Sequence, residues 1–208
     1  FRGEWQKAIE TLARHLTLPS AVWADERCAS MRYIARCLRA LEQDDSAERW
    51  LHRAIAEAPH LREPYMDYAQ LLYTQERWYG LVDVLRAALA ITERPRTYIC
   101  EADAWGSLPY DLLSLAYAHL GDAENAADAC RNAVERSPQE ERLRKNLALF
   151  EQMRERRRSR ISSFCLFRLF VRRRPAVRVL LGGIGIFVLP RLVAAAAAVA
   201  RPADDEHP

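Results

Sequence analysis

The chain has 208 residues, 50% of them hydrophobic, which is enough for one ordinary domain with a sizeable core. Only 7 glycines and no period-two alternation argue against a sheet-rich fold. The net charge of +3 hides a polarised layout: residues 1–153 carry 19 Lys+Arg against 24 Asp+Glu, net −5, while residues 154–208 carry 12 against 4, net +8, so the two parts are expected to face different surroundings.

In chain order, Gly3, Trp5, Ala8, Leu12 and His15 have the spacing of the second helix of a helix–turn–helix unit, predicted near residues 4–17 and closed by Pro19. The first helix of that unit is missing and the chain has no initiating methionine, so it reads as the C-terminal fragment of a longer protein. A complete unit follows over 29–58, with Met31, Ile34, Ala35, Leu38, Ala47, Leu51, Ala54 and Pro59 on one template. Tyr65, Tyr68, Ala69, Leu72, Leu85 and Ala88 repeat it over 63–92. Tyr110, Leu113, Tyr117, Gly121, Ala126, Ala133 and Pro138 repeat it over 108–137, and a capping helix is expected near 140–155. Ala54 and Ala88 are 34 residues apart, but Ala88 and Ala133 are 45 apart, so 11 residues are inserted between the second and third copies.

This pattern resembles the tetratricopeptide repeat, which implies an all-α array of paired helices, an α-solenoid. The alanines have a physical role within it. Ala35 and Ala69 sit where paired helices cross, and Ala54, Ala88 and Ala133 sit where a second helix meets the next unit, so a larger side chain would overpack the contact. Pro59 and Pro138 follow second helices and stop them.

Residue types that carry chemistry are scattered. Cys28, Cys37, Cys100, Cys130 and Cys165 show no paired metal-ligand spacing and read as reduced structural thiols, and the histidines form no pair on one helix face. No phosphate loop, nucleophile elbow or Asp-x-Asp motif is present, so no catalytic residue, metal or cofactor is assigned to this chain.

A binding role places the candidates on the first helices, which line the inner face of such arrays. Arg32, Arg36 and Arg39 are spaced by four and three and share one stripe, suited to clamping a carboxylate or phosphate. Equivalent positions of the next helices hold Glu63, Met66, Gln70 and Tyr73, then Asp111, Leu115 and His119. The alternative is a solvated charged face, with Arg32 or Arg36 paired to Glu63 or Asp67. Trp5, Trp50, Trp78, Tyr65 and Tyr117 take helix-packing positions, whereas Tyr98 and Trp105 belong to the irregular insertion between Pro95 and Pro109, a segment suited to contacting a partner.

The stretches RGEWQKAIETLARHL, SMRYIARCL, AIAEAPHLREPYMDYAQLLYTQERW, ERPRTYI and WGSLPYDLLSLAYAHLG look like the helical repeat region that follows the catalytic domain in a set of bacterial family 2 glycosyltransferases. The likeness spans roughly residues 1–150 and includes the insertion, although this chain reads EADAWG where an Asn-Glu-Pro type of sequence is expected. It implies a parent enzyme whose upstream domain uses a divalent metal and a nucleotide sugar, with the repeats as its accessory module. The other reading is a free-standing scaffold that binds protein partners and is tethered to a membrane. The expected partners are therefore a protein or peptide, or an upstream catalytic domain of the same chain, and the expected location is cytoplasmic.

Beyond residue 153 arginines crowd the chain, and Val179–Ala200 is apolar apart from Arg191. Its 22 residues are long enough to span a bilayer. Against a span, Arg191 costs ~2.5–3.5 kcal/mol near a membrane centre and Pro190 breaks the helix. Three readings stay open for residues 154–208: a membrane anchor at 179–200, a basic tail on anionic lipid or nucleic acid, and an out-of-frame product of GC-rich coding, which the 29 arginines against 2 lysines would fit. Nucleic acid is the least expected of these contacts.

Overall fold

The computed structural model describes the backbone of residues 3–173 and the side chains of residues 3–159. Among the described residues eight α-helices follow one another: α1 Trp5–Thr17, α2 Ala24–Ala40, α3 Asp44–Glu57, α4 Glu63–Thr74, α5 Trp78–Ala90, α6 Leu108–His119, α7 Ala123–Arg136 and α8 Glu141–Arg173. A single 3-10 turn, Ala102–Trp105, lies between α5 and α6, and no strand occurs among the described residues. Each helix from α1 to α7 packs on its chain neighbours, and the first helices also touch one another, α2 on α4 and α4 on α6. This is the all-α, α-solenoid arrangement that the repeat spacing predicts.

The small residues lie where close approach demands them. Ala35, Ala47, Ala54, Ala69, Ala88, Ala116, Ala126 and Ala133 are all fully buried. One hydrophobic core joins Ile34, Leu51, Leu71, Leu72, Leu81 and Leu85, so no unit buries its apolar face alone. A second cluster sets Ala126, Ala127 and Cys130 of α7 against Phe150 of α8, with the Cys130 thiol donating to the Leu143 carbonyl at 3.4 Å.

The turns repeat with the same period as the helices. Glu42, Glu76 and Gly121 all take left-handed backbone, at φ 59°, 55° and 73°. After each, an N–H reaches back five residues: Gln43 to the Leu38 carbonyl, Arg77 to Leu72 and Asp122 to Tyr117, at 2.9, 2.9 and 2.8 Å. These bonds satisfy carbonyls that a helix end leaves open, and they turn the chain into its second helix. Pro64 and Pro109 stand in the first turns of α4 and α6, where a missing N–H costs nothing.

Three bounds differ from the sequence expectation. The helix expected from residue 29 begins at Ala24, because Asp25 and Glu26 suit a helix N-terminus and no breaker lies between them and Ala29. The helix expected from 140 to 155 continues to Arg173, since residues 141–174 contain neither glycine nor proline. The inserted segment is also longer than the period alone shows, covering all residues between Ala90 and Leu108.

The chain divides into two units, Phe1–Arg156 and Arg157–Pro208. The first holds the repeats. Of the second, only the helical run to Arg173 is described, so the candidate span 179–200 and most of the basic tail lie outside the described residues. Among the described residues no helix is long and apolar enough to cross a membrane.

Candidate functional site

The inserted segment decides the character of the first-helix face. Its base is fixed by Arg62, just before α4, whose Nε and Nη2 donate to the Ile91 carbonyl at 2.8 and 2.6 Å. The Arg62 guanidinium also lies 4.0 Å over the Trp105 ring. Trp105 Nε1 and the Glu101 N–H both donate to Glu63 Oε1, at 3.1 and 3.0 Å, and Ala104 is 2% exposed. From this base the segment reaches back to α2, where the Tyr98 hydroxyl donates to Glu26 and its ring meets Trp23 edge-on at 5.8 Å.

Two of the three candidate arginines are engaged beneath it. Arg32 is 1% exposed, and its Nε donates to Asp67 Oδ2 at 2.7 Å. Arg36 donates twice to Asp67 Oδ1, at 3.0 and 2.7 Å. Glu101 of the insertion completes the cluster, with one oxygen 2.9 Å from Arg32 Nη2 and the other 3.0 Å from Arg36 Nη2. Burial pushes the Glu101 carboxyl up, but the charges of Arg32 and Arg36 and the hydrogen bonds from Arg36 outweigh it and hold it below the ordinary glutamate range. Burial likewise opposes the Arg36 charge, and Asp67 and Glu101 more than restore it. Arg32 and Arg36 thus form an anion clamp that two carboxylates of the chain already fill.

The remaining candidates separate into two places. Asp111 is 5% exposed and accepts two hydrogen bonds from Arg142 of α8, at 3.1 and 2.8 Å, which joins α6 to α8. Arg39 stays half-exposed, with Thr74 Oγ1 at 3.5 Å, beside an open cleft of about 470 Å³ between the ends of α2 and α4. Gln70 and Tyr73 share the exposed side of α4, one turn apart. Tyr73 meets Trp78 edge-on at 5.8 Å, and His119 stacks on the other ring partner, Trp78, at 3.9 Å with 6° between planes. Trp78 therefore draws Tyr73 and His119, from α4 and α6, into one ring cluster.

Sequence reasoning missed Glu101, Arg62 and Glu26. No local signal marks them, because their contacts span 29 to 72 residues. Glu63 and Asp67 were weighed as arginine partners; Asp67 takes that role, while Glu63 serves the insertion instead.

Cys28, Cys37 and Cys130 are buried free thiols. Burial pushes the Cys28 thiol up to about 12 and raises Cys37 and Cys130 as well. Among the described residues no group of His, Cys, Asp and Glu could hold a metal ion.

No protein-family model matches the chain, and no curated protein matches it in sequence. Solved structures match in fold. A crystal structure of MamA superposes with a TM-score of 0.58 at 15% identity, over 78% of this chain and 86% of that one. A second gives 0.57 at 16% identity, over 78% and 80%. A third, "MamA MSR-1 C2", gives 0.52 at 18%, over 73% and 79%. At these identities the likeness concerns the fold, which the repeats share over about three-quarters of this chain.

Proposed function

We propose that the chain is a non-catalytic interaction module that holds a peptide segment of a partner protein on its first-helix face. The observation that carries this reading is the exposed row at the ends of those helices. Arg39 and Thr74 flank an open cleft, and Gln70 lies one turn before Tyr73, whose ring joins those of Trp78 and His119. Exposed rings on a rigid helical frame give contact area with little entropy to lose, and an arginine without a carboxylate partner adds a polar anchor. Selection of a displayed peptide library against the chain tests it. Tyr73→Ala and His119→Ala should each weaken the selected peptides about tenfold or more, whereas Tyr79→Ala, at an exposed tyrosine of α5, should not. Equal loss at Tyr79 would move the site off this face.

A narrower reading rests on the glycosyltransferase-like stretches of residues 1–150: the module would serve an upstream catalytic domain of the same chain. Coding sequence upstream of Phe1 tests it directly. An Asp-x-Asp domain there would support the accessory role, and a start codon just before Phe1 would remove it and leave the free-standing scaffold.

A further inference from the structure

The inserted segment is unevenly held. Arg62, Glu63 and Trp105 fix its base. Between Thr92 and Cys100, by contrast, the only backbone hydrogen bond is local, from the Cys100 N–H to the Thr97 carbonyl. Tyr98 is 78% exposed, with one hydrogen bond to Glu26 and one edge contact with Trp23. Below it lies a cleft of about 340 Å³ with His15, Ala29 and Tyr33 on the helix side and Tyr98 and Ile99 on the insertion side.

The charges beneath add a second observation. Without Glu101, the two arginines would share the single carboxylate of Asp67 and leave a net positive site on α2 and α4. The Glu101 side chain is 38% exposed, so solvent and solutes reach it. Arg32 is buried, yet its Nη1 has no hydrogen-bond partner and its Nη2 meets Glu101 as an ion pair without good hydrogen-bond alignment. Glu101 therefore fills the clamp without saturating it.

From this geometry we infer that residues 92–101 are a releasable strap. Tyr98 and Glu101 act as an internal pseudo-ligand, occupying on α2 and α4 the places that an extended partner segment takes when it binds. The strap states the chemistry of its competitor: an aromatic residue followed three positions later by a carboxylate, the spacing of Tyr98 and Glu101. The aromatic ring would meet Trp23 and the wall of the Tyr33 cleft, and the carboxylate would meet Arg32 and Arg36. Opening would pivot where the segment leaves its fixed base, so the base contacts of Arg62 and Trp105 survive. This inference rests on the interaction-module reading and extends it from the open end of the face to the end that the chain itself covers.

The test uses the full chain and its own segment in trans. The probe is a fluorescent peptide copying residues 96–103, with serine for the cysteine, and the control peptide has alanine at the tyrosine and glutamate positions. Tyr98→Ala should bind the probe about tenfold or more tightly than the native chain does, because the native strap keeps the competent state a minor population. The control should bind neither, and adding Arg36→Ala should abolish probe binding. Equal binding to both chains, binding to neither, or equal binding of probe and control would overturn the inference. Should Tyr98→Ala lose its helical circular dichroism, Glu101→Gln, which weakens the strap and leaves the receiving site intact, is held to the same criteria. Alkylation of Cys100 in the native chain, followed by peptide-resolved mass spectrometry, gives an independent readout. Saturating probe should speed labelling several-fold, and an unchanged rate would count against release. Because the probe is the chain's own segment, failure here leaves the Tyr73 and His119 result intact, and failure there leaves this test readable.

Discussion

Asp67→Ala removes the carboxylate on which Arg32 and Arg36 converge. Asp67 accepts three hydrogen bonds at 2.7, 3.0 and 2.7 Å, and its side chain is 6% exposed. The two arginines respond differently. Arg36 is 40% exposed and can regain water, whereas Arg32 is 1% exposed and would keep only the poorly aligned Glu101 pair. Removing one partner of a buried pair costs about 3–5 kcal/mol, mainly through the charge left behind. With Arg36 rehydrated, the lower end applies, about 3 kcal/mol, a large share of the ~5–15 kcal/mol that stabilises a typical domain. Urea unfolding followed by circular dichroism, with linear extrapolation, measures it. If stranding of Arg32 is the cause, Arg32→Met in the same chain should recover about 1–3 kcal/mol, so the double variant falls well short of additivity. A loss below about 1 kcal/mol, the range of exposed ion pairs, or simple additivity would refute the reasoning.

Three further outcomes are expected. Glu101 and Glu48 are both held below the ordinary glutamate value of 4.5, so their contribution is complete above that value and lost as pH falls through the lower folded ones; the urea midpoint should fall from about pH 5 downward, less steeply in Glu101→Gln, and equal slopes would contradict the assignment. Glu42→Gly and Glu76→Gly relieve left-handed backbone at φ 59° and 55° and should be neutral or stabilising by up to about 1 kcal/mol in thermal melts, against a clear loss for β-branched valine. In the folded chain, iodoacetamide should label Cys100 well before Cys28, Cys37 and Cys130, since the last three are buried and their thiols are raised; comparable labelling of Cys28 would contradict the packing.

The parts of the fold legible in the sequence were those set by short-range periodicity. The buried alanines announce the helix crossings because only a small side chain fits there, and Pro59 and Pro138 mark the ends of α3 and α7. The turn conformation was legible at Gly121 but not at Glu42 or Glu76, where backbone hydrogen bonds impose a left-handed residue that glutamate does not signal. The ends of α2 and α8 were misjudged because the repeat template stops short of where local helix preference carries the chain. For the site, the spacing placed Arg32 and Arg36 on one stripe and offered Asp67 as a partner. It could not supply Glu101, because the course of an aperiodic loop is set by distant anchors such as Arg62, which no local pattern connects to it. Likewise the Tyr73–Trp78–His119 cluster joins residues up to 46 positions apart, although each alone fits an ordinary repeat position.

The most direct test of an interaction module that works through its first helices is the hydrogen-exchange footprint of a peptide selected on the full chain. Bound peptide should slow exchange in the last turns of α4 and α6, around Gln70, Tyr73 and His119, and leave α3, α5 and α7 beyond Trp78 unchanged. Protection confined to α3, α5 and α7 would contradict it.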